Sequence, residues 1–499
     1  MNFPRGLGGA LTAVTGIFGR AANQIIALVV TLLAARWLTP ITFGEFSIAA
    51  ALATLSRAML YAGAFEFLLK APKGEEANTE CLVINLSLAA GMAGVLALLS
   101  LVAQPLFHSS EVGILILALA PSSLLSAGAN WQESQLLRSG RLKTYYGVTT
   151  FAEITAAIVT IAMILTGFGL VALIAQIYTR LFTLMLTYRA LQRPTWSKSF
   201  SFRRARHVAR WSMARYGATA VGFFSNYSAD ILLGVILSPA ATGLYRASHR
   251  MVTGVSDLIS NPTRLTATTI FSRRSAEKME SGALWPNIAA ATAFLGWTAL
   301  AGLAAVSNQV VPLLLGPRWI AAGPIVAILC LQRAFSLIDG VTGPLLVAYS
   351  HVRILLHIQF ITAISGIVLL IAMASYGVAA AAFSSVIAAG ATSLLMIVSA
   401  GRRFPGLASG LPRALPVALG PALFTGLAAY GCERVIASSR FPPHLAVATE
   451  VLAGVGAFLC AAILLRRGVV ASLHALNPPP RVVVPGQEED GVETVLASS

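Results

Sequence analysis

Eight arginines stand inside apolar stretches of this 499-residue chain: Arg20, Arg57, Arg180, Arg215, Arg246, Arg250, Arg264 and Arg333. A charge in membrane hydrocarbon is costly and generally faces a protein interior or a wet cavity, so each is a candidate for function. Arg20, Arg180, Arg250 and Arg333 fall near the middle of their stretches, and Arg57 somewhat toward one end. Arg215 and Arg264 are near ends from which a long side chain can snorkel. The planar, permanently charged guanidinium matches phosphate oxygens. An excess of buried cations over buried acids therefore points to carriage of an anion, such as a phosphate or diphosphate.

One stretch concentrates this chemistry. Arg246, Arg250, Asp257 and Asn261 follow spacings of four, seven and four, which puts them on one helical face, with His249 and Thr253 beside it. A polar stripe on a membrane-length helix implies a water-accessible interior. Arg250 and Asp257 are two turns apart, about 10 Å along the axis, too far to neutralise each other directly. The acids within apolar stretches are Glu133, Glu153, Asp230, Asp257 and Asp339. Each is either a counter-ion to an arginine or a site for a coupling proton or sodium ion. Catalytic signatures are missing: there is no GxSxG, no Walker A sequence and no HExxH. Cys81, Cys330, Cys432 and Cys460 form no CxxC and lie near no histidine at metal-ligand spacing, so they read as packing residues. No metal, no cofactor and no enzymatic activity is expected.

The elements that must hold these side chains are membrane helices. The chain is 57% hydrophobic and 11% charged, against about 25% charged in soluble proteins. Apolar runs of about twenty residues, enough to cross about 30 Å of hydrocarbon, recur along it. They predict an all-α integral membrane protein of about fourteen helices, the first over 9–36, the seventh over 209–236, the eighth over 241–270 and the last over 444–466. The run from Leu7 to Leu38 is too long for a signal sequence and should stay as the first helix. The net charge of +16 is no nucleic-acid footprint, because the cations sit in short loops. With the N-terminus in the cytoplasm, alternate loops hold 22 basic residues on the inner side and 4 on the outer. That bias places both termini in the cytoplasm.

A repeat organises the helices. Leu38-Thr39-Pro40 through Gly44-Glu45-Phe46 is echoed by Leu237-Ser238-Pro239 through Gly243-Leu244-Tyr245, offset by 199 residues. Thr39 and Ser238 can cap a new helix, with Pro40 and Pro239 in its first turn. An offset of six helices preserves orientation, so the halves are parallel repeats about an axis along the membrane normal. The expected plan is a six-helix bundle over 1–192, a basic linker over 193–208, a second six-helix bundle over 209–400, helices thirteen and fourteen over 401–467 and a disordered tail over 468–499. The linker mixes arginines with Trp196, Phe200 and Phe202 and serves as topology anchor, with contact to anionic lipid as a second role.

Three stretches carry a family resemblance: Ala34-Ala35-Arg36-Trp37-Leu38-Thr39-Pro40 through Phe46, Asp230-Ile231-Leu232-Leu233-Gly234 with Gly243-Leu244-Tyr245-Arg246-Ala247, and Pro312 through Trp319. In order and spacing, the chain resembles bacterial polysaccharide-export flippases, the oligosaccharide-lipid branch of the superfamily that includes MATE exporters and lipid II flippases. The resemblance implies a V-shaped pair of bundles with alternating access in the bacterial inner membrane. It implies a polyprenyl-diphosphate-linked oligosaccharide as cargo, moved from the cytoplasmic to the periplasmic leaflet for O-antigen or exopolysaccharide assembly. Polysaccharide polymerase and chain-length machinery are expected partners, besides membrane lipids. In lipid II flippases, arginines on the first, second and eighth helices are held to meet the diphosphate. Arg20, Arg57 and Arg250 occupy matching helices, with Arg246, Arg180 and Arg333 as further candidates. Those relatives have another first-helix arginine where this chain has Gln24. Helices thirteen and fourteen resemble a pair that forms a lipid-facing groove, and here hold Glu433 and Glu450. A cation-coupled drug exporter would favour acids over arginines in the cavity. A polymerase or ligase would need a large external loop, and every expected external loop is at most about ten residues.

Overall fold

The structure is a computed structural model and describes residues 7–71, 77–191, 200–437 and 443–464; within these it omits the side chains of 7–18, 20, 21 and a few others. The side chain of Arg20, the linker residues 193–199 and the tail 468–499 lie outside the described residues. Seventeen α-helices are described. In the first half they are α1 Leu7–Trp37, α2 Pro40–Leu60, α3 Ala64–Lys70, α4 Asn78–Leu101, α5 Ala103–Phe107, α6 Ser110–Leu119, α7 Ser122–Arg138, α8 Leu142–Leu165 and α9 Leu170–Leu191. The second half has α10 Phe202–Ile236, α11 Pro239–Ala276, α12 Trp285–Leu315, α13 Ala322–Ala348, α14 Val352–Ala374 and α15 Val378–Gly401. The final pair is α16 Leu407–Ala437 and α17 Pro443–Leu464.

The chain is all-α, two bundles with an appended pair leaning on α12. Among the described residues ten spans are long and apolar enough to cross a membrane, with α2 and α3 together forming one and α6 and α7 another, or eleven if the bent α10 counts as one span, against about fourteen expected. The side chains of α1 and α16 are described only in part, and a bend divides α10. The polar face of α11 lowers its hydropathy, and α16 carries Pro412, Pro416 and Pro421. Two expected helices are broken. The second splits into α2 and α3 at Gly63, whose φ of +55° suits glycine. The fourth splits into α6 and α7 at Ala120–Pro121. The seventh starts earlier than expected, at Phe202, so the end of the basic linker is helical, and it bends by 55° at residue 225.

The repeat is realised as cap chemistry and as a contact. Thr39 Oγ1 accepts from the Thr42 amide at 3.2 Å, and Ser238 Oγ from the Ala241 amide at 3.2 Å. Pro40 and Pro239 sit in the first turns they open. The two capped starts pack against each other at Gly44 and Gly243. Around them Phe43 meets Trp319 edge to face, with ring centroids 5.6 Å apart. The Trp319 indole donates to the Ala35 carbonyl at 2.8 Å, and Arg36 donates to the Leu313 carbonyl at 3.1 Å. Those carbonyls belong to the last turns of α1 and α12, where intrahelical partners run out. Each half thus supplies a donor to a helix end of the other, and one apolar core joins the halves at this end. At the opposite end Arg215 pairs with Glu66 at 2.5 Å, Arg204 with the fully buried Glu80 at 3.0 Å, and the Ala64 amide donates to Tyr216.

Candidate functional site

Two cavities meet between the halves. The smaller, about 390 Å³, is lined by Asn23 and Gln24 on α1, Glu153 on α8, Arg180 on α9, and Arg250, Asp257, Asn261 and Arg264 on α11. The larger, about 1210 Å³, lies among α10, α11, α13, α14 and α15 and includes Arg246, Arg250, Arg333 and Asp339 in its wall. Gln24, Arg250, Thr253 and Asp257 line both. The stripe anticipated on the eighth helix is therefore the shared wall of two polar spaces. The smaller space follows α11 from Arg250 to Leu265, toward the end rich in basic residues.

The arginines separate by their partners. Arg180 Nε lies 2.7 Å from Glu153 Oε2. Arg246 Nη1 lies 2.9 Å from Asp230 Oδ2, and its guanidinium sits over the Tyr227 ring at 4.9 Å. That Asp230 contact is close but off the hydrogen-bond line: neither Asp230 oxygen has an aligned donor, and the attraction is coulombic. Arg333 bonds to Asp257 and donates to Ser256 Oγ at 2.7 Å. Asp257 also accepts from Gln24 Nε2 at 2.9 Å. Gln24 thus helps to hold an acid. Arg57 donates to Thr54 Oγ1 at 2.9 Å and Ser122 Oγ at 3.3 Å, lines neither cavity, and lies within electrostatic reach of Arg180. Among the described residues Arg250 has no carboxylate within ion-pair distance, and its side chain is exposed where the cavities join.

The remaining acids have no cation within ion-pair distance among the described residues. Glu133 accepts from the Tyr61 hydroxyl at 3.1 Å, and Asp339 from Ser393 Oγ at 2.8 Å. Glu450 is fully buried with neither oxygen hydrogen-bonded. So the structure brings together Arg180, Arg246, Arg250, Arg333, Glu153, Asp257 and Asp339 at the two cavities. It leaves Arg57 and Glu133 in the interior of the first bundle and Asp230 beneath Arg246. Arg215 and Arg264 differ from one another as well: Arg215 is tied to Glu66, and Arg264 lines the smaller cavity.

Charge census missed the neutral wall. Gln332, Gln359, Asn226 and Tyr227 line the larger cavity. The available signal was amides in mid-helix: Gln332 directly precedes Arg333 in α13, and Gln359 stands beside Ile358 and Phe360 in α14. Among the described residues no group of three or more His, Cys, Asp or Glu side chains is placed to hold a metal ion.

Comparison with known proteins agrees with this architecture. The family model for polysaccharide biosynthesis proteins matches residues 33–324. The succinoglycan biosynthesis transport protein ExoT of Rhizobium meliloti (strain 1021) is 23% identical over 332 residues, 66% of this chain and 66% of that protein, just under two thirds of its length. Among solved structures, the lipid II flippase MurJ in an inward closed conformation has a TM-score of 0.70 at 16% identity, covering 92% of this chain and 99% of that one. An inward-facing multidrug resistance MATE transporter of the MOP superfamily has a TM-score of 0.56 at 14% identity, covering 79% and 95%. At those identities the structures speak for the fold, and the family match covers more than half of the chain. The chain belongs to the polysaccharide biosynthesis protein family and has the fold of the superfamily that unites MATE exporters with lipid II flippases.

Proposed function

We propose that this protein is a flippase that moves a polyprenyl-diphosphate-linked oligosaccharide from the cytoplasmic to the periplasmic leaflet by alternating access. The carrying observation is Arg250: a guanidinium with no carboxylate within ion-pair distance among the described residues, at the junction of two cavities, inside an apolar helical protein. At 4 Å and an effective dielectric of about 20, a phosphate charge gains about 4 kcal/mol from such a cation before desolvation is counted. Arg180 and Arg264 extend the positive wall toward the basic end, where a substrate made in the cytoplasm would arrive. Arg246 and Arg333 support the site while holding their own acids. Arg57 and Arg20 remain candidates from the first bundle, Arg57 acting after movement brings it to the cavity. Asp230, Asp257, Asp339, Glu133 and Glu153 serve as counter-ions, with Glu133 and Asp339 free for ion coupling because hydroxyls rather than cations meet them. The family supports a place in surface polysaccharide assembly, in the inner membrane with about fourteen crossings and both termini cytoplasmic. Polymerase and chain-length proteins would be downstream partners.

The test is transport of a polyprenyl-diphosphate-linked saccharide in proteoliposomes. Arg250→Ala at wild-type protein level should abolish it, and Arg250→Lys should retain a fraction, because lysine keeps the charge but not the fork. Full activity of Arg250→Ala would remove the central role given to this residue.

A further inference from the structure

The larger cavity differs in chemistry from the smaller one, and that difference bears on what part of a substrate each would hold. Its 1210 Å³ exceeds the roughly 300–1,000 Å³ of pockets that take drug-sized ligands. Four helices present uncharged polar groups to it: Asn226 from α10, Gln332 from α13, Gln359 from α14 and Thr392 from α15. Such groups are expensive in a membrane protein unless something polar meets them. Most are only partly satisfied by their own helices. Asn226 donates its amide to the Gly222 carbonyl at 2.7 Å, which leaves its oxygen. Thr392 donates to Ala388 at 2.8 Å, which leaves its lone pairs. Gln359 is exposed to the cavity, with no side-chain partner among the described residues.

The charges in this wall are already spent. Arg246 faces Asp230, and Arg333 is bonded to Asp257. His249 stacks near Tyr245, and His357 Nδ1 lies 2.5 Å from the Arg353 carbonyl. Arg250, with no carboxylate within ion-pair distance among the described residues, stands at the neck toward the smaller cavity. Asp339 keeps one oxygen beyond its bond from Ser393, and carboxylate oxygens accept from hydroxyls but repel anions. A hydroxyl-rich neutral molecule would find acceptors and amide donors on several sides, while an acidic one would find no free cation past the neck.

We infer that the larger cavity is a saccharide subsite inside the second half, built for an uncharged glycan, with Gln332 and Gln359 as specificity-determining residues and Arg250 at the neck holding the diphosphate. This rests on the flippase reading above and adds the location and charge class of the sugar. The diphosphate marks the boundary: it sits at the neck beside Arg250, with the glycan among α10, α13, α14 and α15.

The experiment measures binding to the full chain in lipid nanodiscs. Three probes are used: a short-chain prenyl diphosphate alone, the same lipid carrying a neutral disaccharide, and the same lipid carrying a uronic-acid disaccharide. Wild-type protein should bind the neutral-sugar probe about tenfold more tightly than the bare one, with no such gain for the acidic sugar. Gln332→Ala combined with Gln359→Ala should erase most of that gain, roughly tenfold for two lost hydrogen bonds. Arg250→Ala should weaken all three probes. Equal losses for bare and glycosylated probes in the glutamine double variant, with its unfolding midpoint kept, would overturn the subsite. A gain for the acidic sugar as large as that for the neutral one would overturn the charge class. If wild-type protein binds none of the prenyl probes, the flippase reading itself falls.

Discussion

Gly44 and Gly243 face each other across the two halves, and neither has room for a methyl group. A Cβ on Gly44 would stand 1.7 Å from the Pro239 carbonyl oxygen, and one on Gly243 would stand 2.0 Å from the Pro40 oxygen. The relation is reciprocal, as expected of two copies of one motif about a pseudo-two-fold axis. The obstacle is backbone rather than a flexible side chain, so it cannot turn aside.

Gly44→Ala or Gly243→Ala should therefore force α2 and α11 apart at the end where the three family-bearing stretches converge. Overpacking of this kind costs about 1–3 kcal/mol, and here it acts where the two capped helix starts meet. The expected outcome is a lower unfolding midpoint, together with faster labelling of a single cysteine introduced at Thr253 by a membrane-impermeant reagent added from the outer side. Unchanged labelling in a folded alanine variant would show that this contact does not close that end.

Trp319 reaches from the turn after α12 to the last turn of α1. Trp319→Phe keeps the ring against Phe43 but loses the 2.8 Å bond to Ala35. The expected cost is about 1 kcal/mol, one net hydrogen bond. Trp319→Ala also empties a fully buried site, and large aromatic truncations cost about 3–5 kcal/mol. Denaturation of the purified variants in detergent should rank them wild type, Phe, Ala. A phenylalanine variant as unstable as the alanine one would mean that the bond, rather than the packing, closes the halves together.

Much of this was legible in the sequence for one physical reason. A bilayer forces helices, and caps, prolines and basic loops punctuate them. The repeat at Thr39 and Ser238 showed two capped helix starts because cap chemistry is local. Their mutual contact at Gly44 and Gly243 was not legible, since nothing local states which surface a small residue faces. Arg246, Arg250 and Asp257 were placed on one face by spacing alone. That Asp257 would go to Arg333, 76 residues away, and leave Arg250 free, depends on how α13 packs beside α11. The neutral wall escaped notice because Gln332 and Gln359 carry no charge to count.

Gly63 and Arg215 give a contrast at the opposite end. The Arg215–Glu66 pair is half exposed at Arg215, and exposed pairs contribute about 0–1 kcal/mol. Arg215→Ala should hardly move the unfolding midpoint. Gly63 has φ +55°, and a Cβ there would lie 2.4 Å from the Tyr216 ring, so Gly63→Ala combines backbone strain with a clash. It should lower the midpoint clearly, and Gly63→Ala with Tyr216→Ala should recover only the part due to the clash. Equal effects of Arg215→Ala and Gly63→Ala would contradict this ranking.

The Arg333–Asp257 pair permits a test of structure against binding. Removing one partner of a partly enclosed pair leaves an uncompensated charge, at a cost of about 3–5 kcal/mol for a buried pair and less here because both side chains retain some exposure. Removing both leaves neither. Arg333→Met and Asp257→Asn should thus each destabilise more than the double variant does. Binding should follow a different order. Asp257→Asn frees Arg333 to face the cavity beside Arg250, raising affinity for a bare prenyl diphosphate even as stability falls. Arg333→Met leaves Asp257 unpaired opposite the same site and should lower that affinity. A double-mutant cycle read by both denaturation and diphosphate binding separates the two effects. If the single variants shift binding in the same direction, Asp257 acts by holding the helices in register rather than by occupying Arg333.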